Sequence, residues 1–383
     1  MRVAILTTDL RESFKTYAQP EPRMGIAPEA LLQGFEKLHE VEVHVISCLQ
    51  QPVSAPEKLI GNIRYHSLHV PKIGWMRTGY QGCIRAVRKK LREIQPDIVH
   101  GQGTERDCAI SAAFSGFPNI VTVHGNMKAI ASFYRARPGS FFWLAARLET
   151  FTLQKTGGVF CNSAYTESIV APVARRIWRV PNCLRREFFD SPAVAHHGER
   201  PILLNVGLFS PYKRQAEILA LAHRLWQRGL RFELQFAGST ETRTGYGADF
   251  MLRLAEAEKA GYARHLGSLS AEELIAAFDR ASALIHFPTE ESFGLVVAEA
   301  LARNLKLFAA SVGGIVDIAN GVEGVELFPQ DDWAGLENAI ARWIEAGCPR
   351  LATASETMRW RYSPEIVARR HLEIYREFLG WRR

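Results

Sequence analysis

Two glutamates stand eight positions apart in residues 287–300, FPTEESFGLVVAEA: Glu291 and Glu299. Glu299 lies in the apolar run 295–301, where a solvated acid is out of place and burial without a partner is costly. A carboxylate held there can accept hydrogen bonds from two neighbouring hydroxyls, each charge-assisted bond contributing about 1.5–3 kcal/mol. If the whole stretch is helical, the two acids lie about 12 Å apart along the axis. A glycosidase carboxylate pair needs roughly 5–9.5 Å, so this spacing suits two contacts along one extended ligand instead. Ser292, Phe293 and Gly294 fall near the helix start, where free N–H groups and the helix dipole attract anions. The competing reading is a solvated helix face with one acid favoured by the dipole.

Other residues are less telling by type alone. Lys213, in residues 207–213 (GLFSPYK, beginning at Gly207), is an ordinary solvated lysine before a helix. His124 ends the apolar strand 120–124, a place where a histidine is usually structural. Gly25, in MGIA, is a helix-start glycine. Gly101-Gln102-Gly103 follows a strand, but Arg106 stands where the third glycine of G-x-G-x-x-G belongs, so the segment reads as a tight βα turn. No metal-ligand spacing is present: Asp331 and Asp332 are adjacent, cap a helix before Trp333, and do not form D-x-D. The six cysteines lack a C-x-x-C and read as buried free thiols of a reducing cytoplasm.

The elements that must position these residues alternate. Short apolar runs (2–7, 41–46, 97–100, 120–124, 159–161, 177–180) are interleaved with helical patterns (27–38, 83–94), the mark of a parallel sheet buried on both faces. The rhythm pauses at 182–201, with Pro192, Pro201 and the polar string 196–200, and reads there as a linker. It restarts with strands 202–206, 231–237, 283–287 and 305–309 and helices 215–227, 271–280 and 293–302. The expected fold is therefore α/β: two doubly wound, Rossmann-like domains, residues 1–185 and 186–363, with ligands beyond the carboxyl ends of the strands and a site in the cleft between them. A chain of 383 residues is long enough for two. At 47% apolar and 23% charged residues it is neither disordered nor a coiled coil. No apolar run spans a membrane, and residues 1–14 lack the layout of a signal peptide.

The Glu-x7-Glu spacing, the wording ESFGLVVAEAL and the strand before it resemble the retaining glycosyltransferases of family 4, which have the GT-B fold. The resemblance covers nearly the whole chain. It is strongest over 265–316, where HLGSLSAEEL, the glutamate pair and Gly313-Gly314-Ile315-Val316 follow in the family's order. By this resemblance Glu299 grips the donor ribose, Glu291 contacts hydroxyls of the transferred sugar, and the backbone of Phe293, Gly294 and Leu295 faces the sugar or diphosphate. Gly207 and Gly267 fall among the donor-binding positions. Lys213 matches the lysine that neutralises the diphosphate. The family's usual arginine is replaced by Leu208, and Arg214 is the candidate substitute. His124 matches the cleft histidine beside the reacting carbon, and Gly25 the glycine loop near the diphosphate and acceptor. The final helix, 364–383, is expected to pack back on the first domain.

The implied reaction moves a sugar from a nucleotide-diphosphate donor to an acceptor hydroxyl with retention, without metal or other cofactor. Base and sugar are expected to be chosen by loops, at residues 249–267 and 125–140. The net charge of +7 matters only where it clusters. Arg85, Arg88, Lys89, Lys90 and Arg92 form one such cluster. Residues 133–147 (Phe133, Tyr134, Arg135, Arg137, Phe141, Phe142, Trp143) carry no acid and form another. Basic residues with interleaved aromatics suit an anionic membrane face, hence a peripheral cytoplasmic enzyme acting on a lipid-linked or cell-envelope glycan. The alternatives are a GT-B epimerase or phosphorylase and a non-catalytic nucleotide-sugar binding protein. No nucleic-acid motif is present.

Overall fold

The computed structural model describes residues 1–193, 200–240, 245–349 and 353–380. It divides into two compact units, one of Met1–Arg185 with Tyr362–Arg383 and the other of Arg186–Arg361.

The first unit is built on an eight-stranded sheet: β1 Arg2–Leu6, β2 Glu42–Leu49, β3 Lys58–Ile60, β4 Ile63–His69, β5 Ile98–Gln102, β6 Asn119–Val123, β7 Gly158–Cys161 and β8 Ile177–Arg179. Their spatial order is β3-β4-β2-β1-β5-β6-β7-β8, parallel except for the β3–β4 pair. Val3 pairs with Val43 on one side and Ile98 on the other, so the centre of the sheet is aliphatic. Burial on both faces explains why these strands read as continuous apolar runs. β3 and β4 escape the sequence pattern because the edge hairpin alternates with polar residues, as in IRYHSLH. The closing helix, Pro364–Phe378, packs in this unit, its Tyr375 stacked on Phe35 of helix Ile26–Glu36 at 6.3 Å.

The second unit holds β9 Ile202–Val206, β10 Glu233–Ala237, β11 Ala263–Gly267, β12 Ala283–His286, β13 Lys306–Ala310 and β14 Val325–Phe328, in the parallel order β11-β10-β9-β12-β13-β14. Two expectations need correction. The stretch 249–267 is no loop: it is helix Tyr246–Lys259 followed by β11, whose polar sequence ARHLG hides an edge strand. The stretch 182–201 is not wholly a linker either, since it contains helix Glu187–Asp190. Phe188 there is buried against Phe278, and Arg303, 1% exposed, pairs with Asp279 and donates to the carbonyls of Phe188, Ser191 and Pro192. Residues 196–199 of the polar string lie outside the described residues.

Five of the six cysteines are buried free thiols and Cys348 is half-buried. Cys48, Cys83 and Asp107, far apart in the chain, bring their ligand atoms within 4.8 Å of one another. A hydrogen bond with Cys83 and burial push the Cys48 thiol far up, so it is protonated at neutral pH.

Candidate active site

In the second unit the site grows from the carboxyl ends of β9 and β12. The run after β12 is not helical until Leu295, because Gly294 takes a left-handed conformation (φ 97°) and helix Leu295–Ala302 begins after it. The axial 12 Å separation expected for Glu291 and Glu299 therefore does not apply. Only Glu299 sits on the helix, 3% exposed between buried Ala298 and Ala300. Glu291 is in the preceding loop.

Glu291 is the centre of a triad made by an ion pair and a histidine ring. Lys213 Nζ donates to its Oε2 at 2.5 Å, and His286 Nε2, from the last residue of β12, donates to the same oxygen at 2.9 Å. Burial alone would raise the Glu291 pKa, but the Lys213 ammonium and the His286 ring overrule it and hold the carboxyl at about 2. Burial likewise opposes the charge on Lys213, and Glu291 more than offsets it. Burial pulls His286 below its ordinary value, so its ring is neutral at pH 7.

Backbone contacts fix this loop. Thr289 N donates to Tyr212 O at 2.8 Å, tying it to the loop that carries Lys213. Gly314 N donates to Glu291 O at 3.0 Å. Gly313 has φ 54°, and a Cβ there would lie 1.7 Å from Glu291 O. The glycine pair is thus the floor against which the Glu291 loop rests. A second backbone cluster joins Gly207 and Gly267 through Gly238, which donates to Gly267 O at 2.8 Å. A Cβ on Gly238 would lie 2.0 Å from Gly207 O. The space over Gly207 and Gly267 is open.

Phe293 is buried and Leu295 half-buried at the helix start. Leu208 is exposed. Arg214 is turned elsewhere: it donates to Gln330 O and Asp331 Oδ1, both at 2.8 Å, and covers the Trp333 ring at 4.7 Å. Asp332 caps helix Trp333–Glu345 by accepting from Gly335 N.

In the first unit, His124 directly follows β6. Its Nε2 lies 2.8 Å from Gln102 Oε1, which sets the ring as the Nε2–H tautomer. Burial lowers its pKa to about 4, although the Asn182 side chain favours the charged form somewhat. Gln102 is the last residue of β5, so the Gly-Gln-Gly segment lies partly in the strand rather than wholly in a turn. The Gln102 amide nitrogen is 3.3 Å from both nitrogens of His100, which also meets Thr122 Oγ1 at 2.7 Å and Tyr375 Oη at 2.5 Å. Beyond His124, Asn126 caps helix Met127–Phe133, so the stretch 125–140 is partly helical. Glu149 accepts from Met127 N at 3.1 Å and from Thr104 Oγ1 at 2.5 Å, and burial raises its pKa to about 7. Gly25 precedes helix Ile26–Glu36 in extended backbone.

The structure thus brings Glu291, Lys213, Phe293 and Gly294 together in one unit and places His124 and Gly25 in the other. His286, Gln102 and Gly238 were missed. A histidine ending an apolar strand five residues before an acid was the available signal for His286. Nothing local marks the other two.

Two tandem doubly wound sheets, with a buried acid-lysine pair beyond strand ends of the second, are the architecture of the GT-B fold. A model of glycosyltransferase family 4 matches residues 29–188 and one of group 1 glycosyl transferases matches residues 187–359. The chain belongs to this family and is a hexosyltransferase. The glycogen synthase of Mycobacterium tuberculosis is 28% identical over 303 residues, 75% of this chain and 71% of that protein. A D-inositol 3-phosphate glycosyltransferase of a Nocardioides species is 37% identical over 119 residues, 30% of this chain and 25% of its own. Among solved structures, sucrose-phosphate synthase from Thermosynechococcus elongatus covers 99% of both chains at TM-score 0.76 and 18% identity. Anabaena HepE in complex with UDP-glucose covers 98% of this chain and 100% of its own at TM-score 0.72 and 14% identity.

Proposed function

We propose that the chain transfers a hexosyl group, with retention, from a nucleoside-diphosphate sugar to a hydroxyl of a lipid-linked or cell-envelope glycan. The observation that carries this reading is the Lys213–Glu291–His286 triad beside the helix that bears Glu299. In this reading the second unit binds the donor. Glu299 accepts from the ribose hydroxyls, Glu291 from the sugar, and Lys213 with the amides near Gly294 and Leu295 balances the diphosphate. The space over Gly207 and Gly267 admits phosphate or sugar.

The first unit binds the acceptor and contributes His124, with Gly25 near the acceptor. The acceptor oxygen forms a bond to the anomeric carbon on the face the diphosphate leaves. The bond from that carbon to the phosphate oxygen breaks, and a phosphate oxygen takes the acceptor proton. Charge grows on the leaving group, where a fixed cation and oriented amides supply several kcal/mol. No protein nucleophile and no metal enter this scheme. Arg214 has a role here only if it leaves Asp331.

No helix among the described residues is long and apolar enough to cross a membrane. Helix Gln81–Ile94 exposes Arg85, Arg88, Lys89 and Arg92. The segment spanning helices Met127–Phe133 and Phe141–Lys155 exposes Phe133, Phe141, Arg135, Arg137 and Arg147. Both support peripheral attachment to an anionic leaflet at the cytoplasmic face.

HepE was solved with UDP-glucose, which makes that sugar nucleotide the first donor to test. Thermal-shift screening against UDP-, GDP- and ADP-sugars should single out one donor, since a ligand at 100 times its Kd adds about 2.7 kcal/mol. Product analysis with that donor should then show the anomeric configuration kept. No stabilisation by any sugar nucleotide, or an inverted product, overturns the reading.

A further inference from the structure

Lys213 and His286 converge on one oxygen of Glu291. Both donate to Oε2, at 2.5 and 2.9 Å, and neither hydrogen bond involves Oε1. The two donors differ in kind. Lys213 is a cation on a long flexible stem. His286 is a neutral ring on the last residue of β12, its side chain 3% exposed and its Nε2–H committed by a carboxylate that can only accept.

If Lys213 serves the diphosphate, as proposed above, it cannot also stay fully on Glu291. A buried carboxylate oxygen that loses its partner is costly, so Glu291 alone would draw the lysine back and compete with the phosphate. A second donor already seated on the same oxygen removes that conflict.

We propose that His286 is a positioning residue for the donor sugar. It keeps hold of Glu291 Oε2 when Lys213 turns to the diphosphate, leaving Oε1 for a sugar hydroxyl. The role rests on the donor reading of Glu291 and Lys213, and it predicts an effect on the sugar end of the donor but not on the nucleotide end.

The test uses His286→Phe, which fills the space without a donor, and His286→Gln, whose amide nitrogen falls near the position of Nε2. Calorimetric titrations are run on the full chain with UDP and UDP-glucose, and with the GDP and ADP pairs where the wild type prefers those. His286→Phe should leave nucleotide-diphosphate affinity within about threefold, weaken the sugar nucleotide at least tenfold, and lower kcat. His286→Gln should recover most of both losses. Equal weakening of the two ligands would mark a merely structural histidine and overturn the proposal, as would unchanged affinities. A wild-type chain that binds none of the pairs would instead refute the donor reading, and the role of His286 with it.

Discussion

Lys213 Nζ lies 2.5 Å from Glu291 Oε2, and both side chains are about five-sixths buried, at 16% and 15% side-chain exposure. The pair joins two loops that are 78 residues apart in sequence. Each charge is tolerable there because the other is present.

Replacing Lys213 by Met should therefore cost on two counts. Glu291 keeps only a neutral partner, so urea denaturation should show a loss of about 2–3 kcal/mol, somewhat under the value for a fully buried pair. Transfer should fall by about 10²–10³ in kcat if the ammonium stabilises the leaving group. Stability loss with unchanged kcat would make the pair structural only.

Glu299→Ala should raise the donor KM sharply. Loss of two charge-assisted hydrogen bonds of about 1.5–3 kcal/mol each predicts an effect of about a hundredfold or more. Circular dichroism checks that the variant is folded. An unchanged KM in the folded variant removes the ribose role.

Gly313→Ala places a methyl group 1.7 Å from Glu291 O at a backbone φ of 54°, so the Glu291 loop must move. A loss of at least tenfold in kcat/KM is expected with the sheet intact, since a small misplacement of binding groups is expensive. Wild-type activity in this variant would show that the loop position is not needed.

Stability should have an optimum in pH. Burial lowers His124 and His371 to about 4, and His100 is lowered as well. A base with a depressed folded pKa stabilises the fold above its unfolded value and loses that stability as pH falls. Between pH 6.5 and 4 the slope approaches about 1.4 kcal/mol per pH unit for His124 and for His371, and His100 adds with the same sign. Glu149 acts oppositely. Its folded pKa of about 7 means that stability falls as pH rises from 4.5 through 7. Melting curves should show both limbs, and Glu149→Gln should weaken the alkaline one, to which buried Glu105 and Asp107, also raised by burial, add with the same sign, while leaving the acid limb. A variant with the same alkaline limb would dissociate it from this carboxyl.

Much of the fold and part of the site were legible in the chain itself. Parallel strands buried on both faces are written as apolar runs, so β1, β5, β9 and β12 announce themselves. Glu299 stands out because an acid inside LVVAEAL conflicts with its surroundings, and such conflicts mark function. What stayed hidden was whatever depends on neighbours distant in sequence. The edge strands β3 and β11 look polar because only one of their sides meets a partner strand. His286 looks like one more strand residue until the chain folds its ring onto Glu291. Gln102 gains meaning only when β5 and β6 lie side by side, and the need for Gly313 arises only because the carbonyl of Glu291 comes to rest on it. Local sequence determined which segments become strands and helices, since periodicity is a property of neighbours along the chain. Tertiary structure alone decided which donor meets which acceptor, because hydrogen bonds and ion pairs act over about 3 Å of space whatever the separation in sequence.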